Sequence, residues 1–248
     1  MSQVAFFRFY AHLNLFLPLS RRQVTLAYGI KPPVSVKHVI ESLGVPHTEV
    51  AVILVNEVGQ TFDYLLQPQD RVAVFPAFQT LTGAVGPPLR PPWPEPPIFL
   101  ADNHLGRLAR FLRLLGFDTW YHPAWDDAQL AQAAGAQARI LLTRDRNLLK
   151  RKEVIFGYCL HTLEPLEQLQ AVVRRFGLPA EIQPWQRCLR CNGRLLPAAK
   201  ETVLAQLEPK TRLFFDEFRQ CAACGQVYWQ GSHMERLAGV VALAQAAA

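Results

Sequence analysis

The chain has 248 residues, of which 50% are hydrophobic and 19% are charged, and its formal net charge is +6. This length and hydrophobic content allow two or three domains with buried cores and exclude wholesale disorder. The low charged fraction excludes a coiled coil or a highly charged tail, while the mild positive balance permits an acidic partner such as nucleic acid without demonstrating one.

The start of the chain does not have the pattern of a targeting or membrane segment. Arg8 interrupts the first apolar residues, and the apolar stretch 13–19 is far too short to span a bilayer. We therefore expect a cytoplasmic protein with no membrane partner. In a reducing compartment, paired cysteines are more often metal ligands than disulfides.

Residues 1–81 show the pattern of one small domain. Two aromatic and β-branched strands, 4–10 and 23–28, are predicted to be joined by a polar turn. A helix follows with Ser35 as N-cap and Gly44 as stop, and two further strands are predicted at 49–55 and 71–76. The ββαββ order predicts a β-grasp, ubiquitin-like domain.

This layout resembles the small ubiquitin-like sulfur-carrier family. Those carriers need a free C-terminal Gly-Gly, and here the domain continues into a proline-rich segment instead. Sulfur carriage is therefore not expected, and the prediction is an interaction or RNA-docking role with a possible protein partner.

Residues 82–97 are predicted to be a linker. Seven prolines lie between Gly86 and Pro97, a density that excludes a helix or a central strand and favours an extended, semi-rigid spacer. The alternative is a ligand for a proline-binding domain. Apolar patterns on both sides favour the linker.

Residues 98–177 alternate short apolar strands with helices. The predicted strands are 98–101, 118–121, 139–143 and 154–160, and the predicted helices are 104–116, 126–134 and 164–177. Such alternation is typical of an α/β domain with a parallel sheet covered on both faces.

Acidic residues follow three of these predicted strands. Asp102 directly follows the first, Asp126 and Asp127 open the helix after the second, and Asp145 follows the third. Ligands of open α/β sheets sit at the carboxyl ends of the strands. Clustered carboxylates at that edge predict a site for Mg²⁺ or Mn²⁺, which can activate water for phosphoryl displacement. Each acid also has an alternative interpretation as a helix or turn cap.

Basic residues surround the predicted acidic cluster. Arg107, Arg110 and Arg113 recur along the first helix of this domain, and Arg144 and Arg146 flank the third acid. Arginine side chains suit phosphate oxygens, although arginine stripes on helices are more often solvated faces.

Residues 178–248 carry two CxxC pairs, formed by Cys188 with Cys191 and Cys221 with Cys224. Two such pairs supply four thiolates for a tetrahedral Zn²⁺, so we predict a structural zinc ribbon. The fifth cysteine, Cys159, is predicted to lie in the core.

Three further features of this C-terminal part have two interpretations each. His233 could contact RNA or simply face solvent. The ribbon aromatics, among them Trp185, Tyr228 and Trp229, could stack on bases or form the core of the small domain. The alanine-rich segment 237–248 could form a short helix or a frayed tail.

Longer segments resemble a known family. The stretches FLADNHLGRLARFLRLLGFDT, DDAQLAQAA and RILLTRDRNLLKR, with the two CxxC pairs and the YWQGSH ending, resemble the Mut7-C RNase domain, a branch of the PIN-like nucleases. The segments FRFYAHLNLFLP, VKHVIESLGVPHTEV and VAVFP resemble the ubiquitin-like domain often fused ahead of it. The resemblance implies a PIN-like fold for 98–177 and metal-dependent RNA cleavage.

The resemblance also implies roles for individual residues. Asp102 matches the first-strand acid, Asp127 or Asp126 the helix acid, and Asp145 the third acid. Many PIN nucleases have a further acid two residues later, where this chain has Asn147, which can ligate a metal but has no charge. This departure implies a weaker second metal site, or RNA binding without efficient cleavage.

The predicted function is therefore divalent-metal-dependent hydrolysis of RNA by the aspartates, with arginines holding phosphates and the ribbon assisting RNA binding. The alternative is a non-catalytic RNA-binding or protein-interaction adaptor that uses the β-grasp domain and the ribbon.

Overall fold

The computed structural model describes residues 3–77 and 86–247, which form a five-stranded, a four-stranded and a three-stranded sheet in chain order. This confirms the predicted combination of a β-grasp domain, a parallel α/β domain and a C-terminal ribbon. Within the described residues, no helix has the length and apolar character needed to cross a bilayer.

The N-terminal sheet contains the four predicted strands in the predicted order and a short fifth strand, Val58–Gly59, that was not predicted. Its strands are β1 (Val4–Phe9), β2 (Leu26–Gly29), β3 (Val52–Val55), β4 (Val58–Gly59) and β5 (Arg71–Phe75). They are arranged as β2-β1-β5-β3-β4, with β1 and β5 parallel and the other neighbours antiparallel. Helix α1 (Val36–Ser42) begins after Ser35, whose side chain accepts a hydrogen bond from the His38 N–H, as predicted for an N-cap.

The connection from β1 to β2 is not the predicted polar turn. It contains two 3₁₀ helices, Ala11–Phe16 and Leu19–Arg21, and Leu13 and Phe16 are buried. Buried Asn14 secures the connection, because its amide donates to the carbonyl oxygen of Phe9 at 2.9 Å and accepts from the Gln23 N–H at 2.7 Å. The prediction was wrong because the apolar residues of this segment belong to the core.

The central sheet is parallel throughout, as predicted. Its strands are β6 (Phe99–Ala101), β7 (Thr119–Tyr121), β8 (Ile140–Thr143) and β9 (Gly157–Cys159), arranged as β7-β6-β8-β9. The helices between and after them are α2 (Gly106–Leu114), α3 (Asp127–Ala136) and α4 (Pro165–Phe176). The carboxyl ends of all four strands therefore lie at one edge of the sheet.

Both faces of the central sheet are buried. Phe99 and Ile140 pack on one face in the hydrophobic cluster that includes α2 and α4. Leu100 and Leu141 pack on the other face, together with Leu130 of α3 and the core of the N-terminal domain. Successive side chains of a strand point to opposite faces, so this alternation follows from strand geometry. The N-terminal domain and the central sheet therefore share one hydrophobic core.

The C-terminal ribbon is an antiparallel sheet with a helical insertion. Its strands are β10 (Leu195–Ala198), β11 (Phe218–Cys221) and β12 (Val227–Trp229), and the short helices α5 (Lys200–Val203) and α6 (Pro209–Phe214) lie between the first two. Helix α7 (Ser232–Gln245) then returns to α2 and α4, and Ala244 is fully buried there. The alanine-rich segment is therefore a packed helix up to Gln245.

The proline-rich residues 86–97 form no helix or strand, and they pack against both neighbouring domains. The Arg90 guanidinium donates to the carbonyl oxygens of Thr48 and Val50, and burial lowers the pKa of Arg90 to about 10. The ring of Trp93 packs edge-on against that of Phe176, the last residue of α4, with ring centroids 5.3 Å apart. The segment therefore has no regular secondary structure, as the prolines predict, and its contacts hold it against both domains.

Candidate active site and metal centre

Two aspartates follow neighbouring strands of the central sheet and are connected through a threonine. Asp102 comes directly after β6 and is only 6% exposed. Thr143, the last residue of β8, donates its hydroxyl to Asp102 Oδ2 at 2.5 Å and accepts from the Asp145 N–H at 2.9 Å. A hydroxyl has one proton and two acceptor lone pairs, so both bonds form together. This relay fixes the Asp102 carboxylate relative to the turn that carries Asp145.

Asp145 and the predicted ligand Asn147 lie in one exposed turn. Asp145 Oδ1 accepts a hydrogen bond from the Asn147 N–H at 2.7 Å, which closes an Asx turn. The turn leads into a 3₁₀ helix, Leu148–Lys150, whose two leucines are buried in the core shared with the N-terminal domain. The packing of these leucines anchors the turn beside the sheet.

The two acids at the start of α3 have different environments. Asp126 is the N-cap, and its side chain and that of Gln129 form a reciprocal capping box. Asp127 is the first helical residue and is exposed. The cap interpretation of Asp126 is confirmed, which leaves Asp127 as the acid of this pair whose carboxylate is not used in the capping box.

The three strand-end acids do not form a closed metal cage. Among the described side chains, those of residues 3–77, 86–231 and 237–247, groups of three or more His, Cys, Asp and Glu come close enough to hold one ion only at the four cysteines. Asp102, Asp127 and Asp145 do not form such a group. Any ion here would complete its shell with water or substrate oxygens.

Asp102 and the residue that follows it have side-chain oxygen atoms suited to a hard cation. In the described part of the chain, the Asp102 carboxylate forms no salt bridge with a Lys, Arg or His side chain. The next residue, Asn103, has a buried side-chain oxygen without a hydrogen-bond partner among those residues. Sequence reasoning missed Asn103, although an amide oxygen beside a strand-end aspartate is a recognisable ligand pattern.

The predicted phosphate-binding arginines differ in exposure and in their contacts. Arg107, Arg110 and Arg144 are exposed, as phosphate binding requires. Arg146 is also exposed, but its guanidinium donates to the carbonyl oxygen of Phe16 at 3.3 Å and so contacts the N-terminal domain. Arg113, which recurs with the helix arginines in the sequence, is buried and has a structural role.

The four paired cysteines form one compact cluster. Their sulfur atoms all lie within 4.8 Å of one another, with Cys188 Sγ 3.7 Å from Cys224 Sγ and Cys191 Sγ 3.4 Å from Cys221 Sγ. A tetrahedral Zn–S₄ site has sulfurs about 3.8 Å apart, whereas a disulfide bond is about 2.05 Å long. All four cysteines are free thiols, and their arrangement could hold a metal ion.

The surroundings of Cys188 favour its thiolate form, whereas burial raises the pKa of Cys191 to about 12. The Tyr228 hydroxyl lies 3.1 Å from Cys188 Sγ. Burial raises the pKa of Cys188, but hydrogen bonds from this hydroxyl and from nearby backbone N–H groups outweigh burial and lower the pKa to about 7. Metal ligation requires the thiolate form, so Tyr228 supports the cluster. This tyrosine therefore has a structural contact in addition to any contact with bases.

The first CxxC knuckle, residues 188–191, lies next to the amino edge of the central sheet. Asp102 lies at the other edge, where the strands end. Buried Arg113 donates to the carbonyl oxygens of Leu189 and Arg190 in this knuckle. Asn192 donates to Asp118 and accepts from the Thr119 N–H, at the start of β7. The cluster of cysteines therefore supports the amino edge of the sheet, away from the strand-end acids.

Asp118 is the centre of these contacts. Burial raises the pKa of its carboxyl, but hydrogen bonds from Arg139 and Asn192 and the charges of Arg139 and Arg187 together lower it below its ordinary value. Asp118 directly precedes β7 and so lies at the amino edge of the sheet, apart from the acids that follow β6 and β8.

A buried glutamate joins the N-terminal domain to the central sheet. Glu49 was predicted to begin a strand, but it ends the 3₁₀ helix His47–Glu49 and is fully buried. Its Oε1 accepts from the Cys159 N–H at 2.6 Å, and its Oε2 lies 3.4 Å from His12 Nε2. Burial raises the pKa of Cys159 to about 12, so this cysteine is a core thiol, as predicted. Nothing in the local pattern identified Glu49, because its partner is more than one hundred residues away.

The Glu49 contact leads to a stability prediction. We expect Glu49→Leu to lower the free energy of unfolding by about 1–3 kcal/mol, because the buried Cys159 N–H loses its acceptor. Glu49→Gln keeps an oxygen acceptor and should lose much less. Urea unfolding of both variants measures the difference, and equal stability of the two would contradict the assigned role.

His233 is in the first turn of α7, and its side chain lies outside the described part of the structure. Its predicted contact with RNA therefore stays a prediction.

Comparisons with known proteins agree with this architecture. The sequence model of the Mut7-C RNase domain matches residues 97–241, and that of the Mut7-C ubiquitin domain matches residues 2–82. Searches of curated proteins and of solved structures give no match. The description of the first family as an RNase domain suggests nuclease activity. The chain belongs to the Mut7-C RNase domain family and carries a Mut7-C ubiquitin domain ahead of that domain.

Proposed function

We propose that this protein is a divalent-metal-dependent ribonuclease that hydrolyses RNA phosphodiester bonds at the carboxyl edge of its central sheet. The observation that carries the proposal is the relay in which Thr143 connects the buried Asp102 carboxylate to the Asp145 turn. Ligands of α/β sheets bind at this edge, and a buried carboxylate without a salt bridge among the described residues favours a cation.

The donor set fits Mg²⁺ or Mn²⁺. Asp102, Asp145 and the buried amide oxygen of Asn103 supply hard oxygen ligands, and Asp127 and Asn147 are further candidates at the same edge. Mg²⁺ in proteins is commonly held by one or two carboxylates together with waters and substrate phosphates, so a closed protein cage is not required. When bound, the ion would supply an activated water and neutralise charge on the phosphate.

The side chains of the chain would bind and orient the substrate. Arg107, Arg110 and Arg144 would pair with phosphate oxygens, while Thr143 keeps Asp102 in one orientation. The proposed mechanism uses no covalent protein nucleophile, and the Cys159 thiol is unsuited to that role because it is buried and its pKa is raised.

We further propose that the four clustered cysteines hold a structural Zn²⁺. A site with four thiolate ligands has no open position for substrate, which favours structure over catalysis. The ribbon would thereby support the amino edge of the central sheet, and it would assist RNA binding from that side of the molecule.

Cleavage assays test the proposed activity. Purified zinc-loaded protein is incubated with single-stranded and structured RNAs, first without added metal, then with Mg²⁺ or Mn²⁺, and finally with EDTA. We expect cleavage only with the added metal. Cleavage that persists in EDTA would contradict a metal-dependent mechanism, and metal-independent RNA binding without any cleavage would favour the non-catalytic adaptor.

Thr143 offers a test of the relay itself. We expect Thr143→Val to lower kcat by about 10- to 100-fold with little change in KM, because Asp102 and the Asp145 N–H both lose their bond to the hydroxyl. Thr143→Ser keeps the hydroxyl and should retain most of the activity. Steady-state kinetics with equal metal concentrations compare the two, and a valine variant as active as the serine variant would exclude a positioning role.

A further inference from the structure

The N-terminal sheet has an outer face on which aromatic and arginine side chains alternate. Along β1 the inward residues are buried, whereas Phe6 and Tyr10 are half-buried and Arg8 is exposed. Alternate residues of a strand share a face, so these three side chains lie together. A sheet face open to water normally carries polar residues, and an apolar patch in that position indicates a binding surface.

These side chains line a depression of about 640 Å³. Thr25, Leu54 and Arg71 also line it, and Glu57 is the acidic residue among its lining side chains. Arg71 lies beside Phe6 in the register of β1 and β5. The depression therefore combines two exposed cations with apolar and aromatic surface.

The rings and the cations lie close to one another. The Tyr10 ring stacks on Phe75, with centroids 4.2 Å apart and planes at 15°. The Arg8 guanidinium carbon lies 5.7 Å from the centroid of the Tyr10 ring. A nucleobase stacks on such a ring whatever its identity, and an arginine beside the ring can pair with the neighbouring phosphate.

We propose that this outer face binds single-stranded RNA, with bases stacked on Phe6 and Tyr10 and phosphates paired with Arg8 and Arg71. The choice of RNA as the partner rests on the proposed ribonuclease function. The two arginines favour a polyanion over a neutral protein surface, and sheet faces with exposed aromatics are an established means of binding unpaired bases.

The test measures affinity separately from cleavage. Full-length, zinc-loaded protein carrying Asp102→Asn is titrated into a fluorescein-labelled twelve-nucleotide oligo(U), without added Mg²⁺ or Mn²⁺, and anisotropy gives Kd. Adding Tyr10→Ala should weaken binding about tenfold, whereas Tyr10→Phe keeps the ring and the affinity. Melting temperatures of all variants verify folding.

The contribution of Arg8 and Arg71 is measured from the affinity and from its dependence on salt concentration. The double substitution Arg8→Ala and Arg71→Ala should weaken binding at least about tenfold and reduce the slope of log Kd against log salt by about 1.4. Lys31→Ala removes an exposed cation of the same domain outside the depression, so its Kd should stay within about twofold. Ultraviolet cross-linking of the unsubstituted face should attach RNA to the β1 peptide.

The outcomes separate this inference from the proposed function. Unchanged affinity in the Tyr10→Ala and double arginine variants would overturn the inference. Cross-links confined to the central sheet or ribbon would also overturn it, and so would the absence of RNA binding. Loss of affinity in a protein that never cleaves RNA would support the inference and contradict the ribonuclease proposal. Metal-dependent cleavage, together with an RNA affinity that these substitutions do not change, would support the ribonuclease proposal and contradict the inference.

Discussion

Replacing Asp102 by asparagine is expected to reduce metal-dependent RNA cleavage about 10³-fold. The substitution keeps the size of the side chain and an oxygen that can accept from Thr143, but it removes the negative charge from the centre of the site. A metal that stabilises a phosphoryl transition state contributes several kcal/mol, and 1.36 kcal/mol corresponds to a factor of ten in rate. Single-turnover cleavage of a labelled RNA at saturating Mg²⁺ or Mn²⁺ measures the loss.

A matched control distinguishes this effect from a general loss of charge. Asp63→Asn makes the same chemical change at an exposed position of the N-terminal domain and should leave cleavage unchanged. Higher metal concentration should partly restore the Asp102→Asn variant if the carboxylate acts by binding metal. Full activity of that variant would remove Asp102 from the mechanism.

Replacing Cys191 by serine is expected to remove zinc and unfold the ribbon. This cysteine is exposed, so its substitution costs little packing and the effect can be assigned to the lost ligand. The ribbon has only small clusters of buried side chains, and small domains of this kind depend on their metal for folding. Elemental analysis should give about one zinc per wild-type chain and near zero for the variant.

Hydrogen exchange locates the consequences of zinc loss. Strands β10 to β12 should lose protection first, and the Asn192 contacts with β7 should weaken because the knuckle that presents them is no longer held. Cys159→Ala is the control, since that thiol lies in the core apart from the cluster, and it should retain about one zinc. Stoichiometric zinc in the Cys191→Ser variant would refute the four-cysteine site.

The strand and helix pattern was accessible from the sequence because it depends on local periodicity. The short apolar strands of the central sheet, the Ser35 cap and the Asp126 cap each depend on residues within a few positions of one another. The pairing of cysteines into one cluster was equally accessible, because each CxxC knuckle is a local unit with known ligand chemistry.

Other features depended on contacts that no local pattern reports. The segment after β1 was predicted as a turn, yet Leu13 and Phe16 are core residues in 3₁₀ helices. Arg113 follows Arg107 and Arg110 at helical spacing but turns inward to the cysteine knuckle. In both cases, burial against a distant element decides the role of the residue.

The amino-acid sequence by itself determined the three-part architecture, most elements of the first two domains, the four thiols that cluster and the aspartates that follow the strands. Only the tertiary structure decided that Thr143 connects Asp102 to the Asp145 turn, that Glu49 joins two domains, and that the cysteine cluster supports the opposite edge of the sheet. The physical reason is that periodicity and knuckle spacing are properties of neighbouring residues. A buried hydrogen bond, by contrast, joins whichever groups the folded chain brings within about 3 Å of each other.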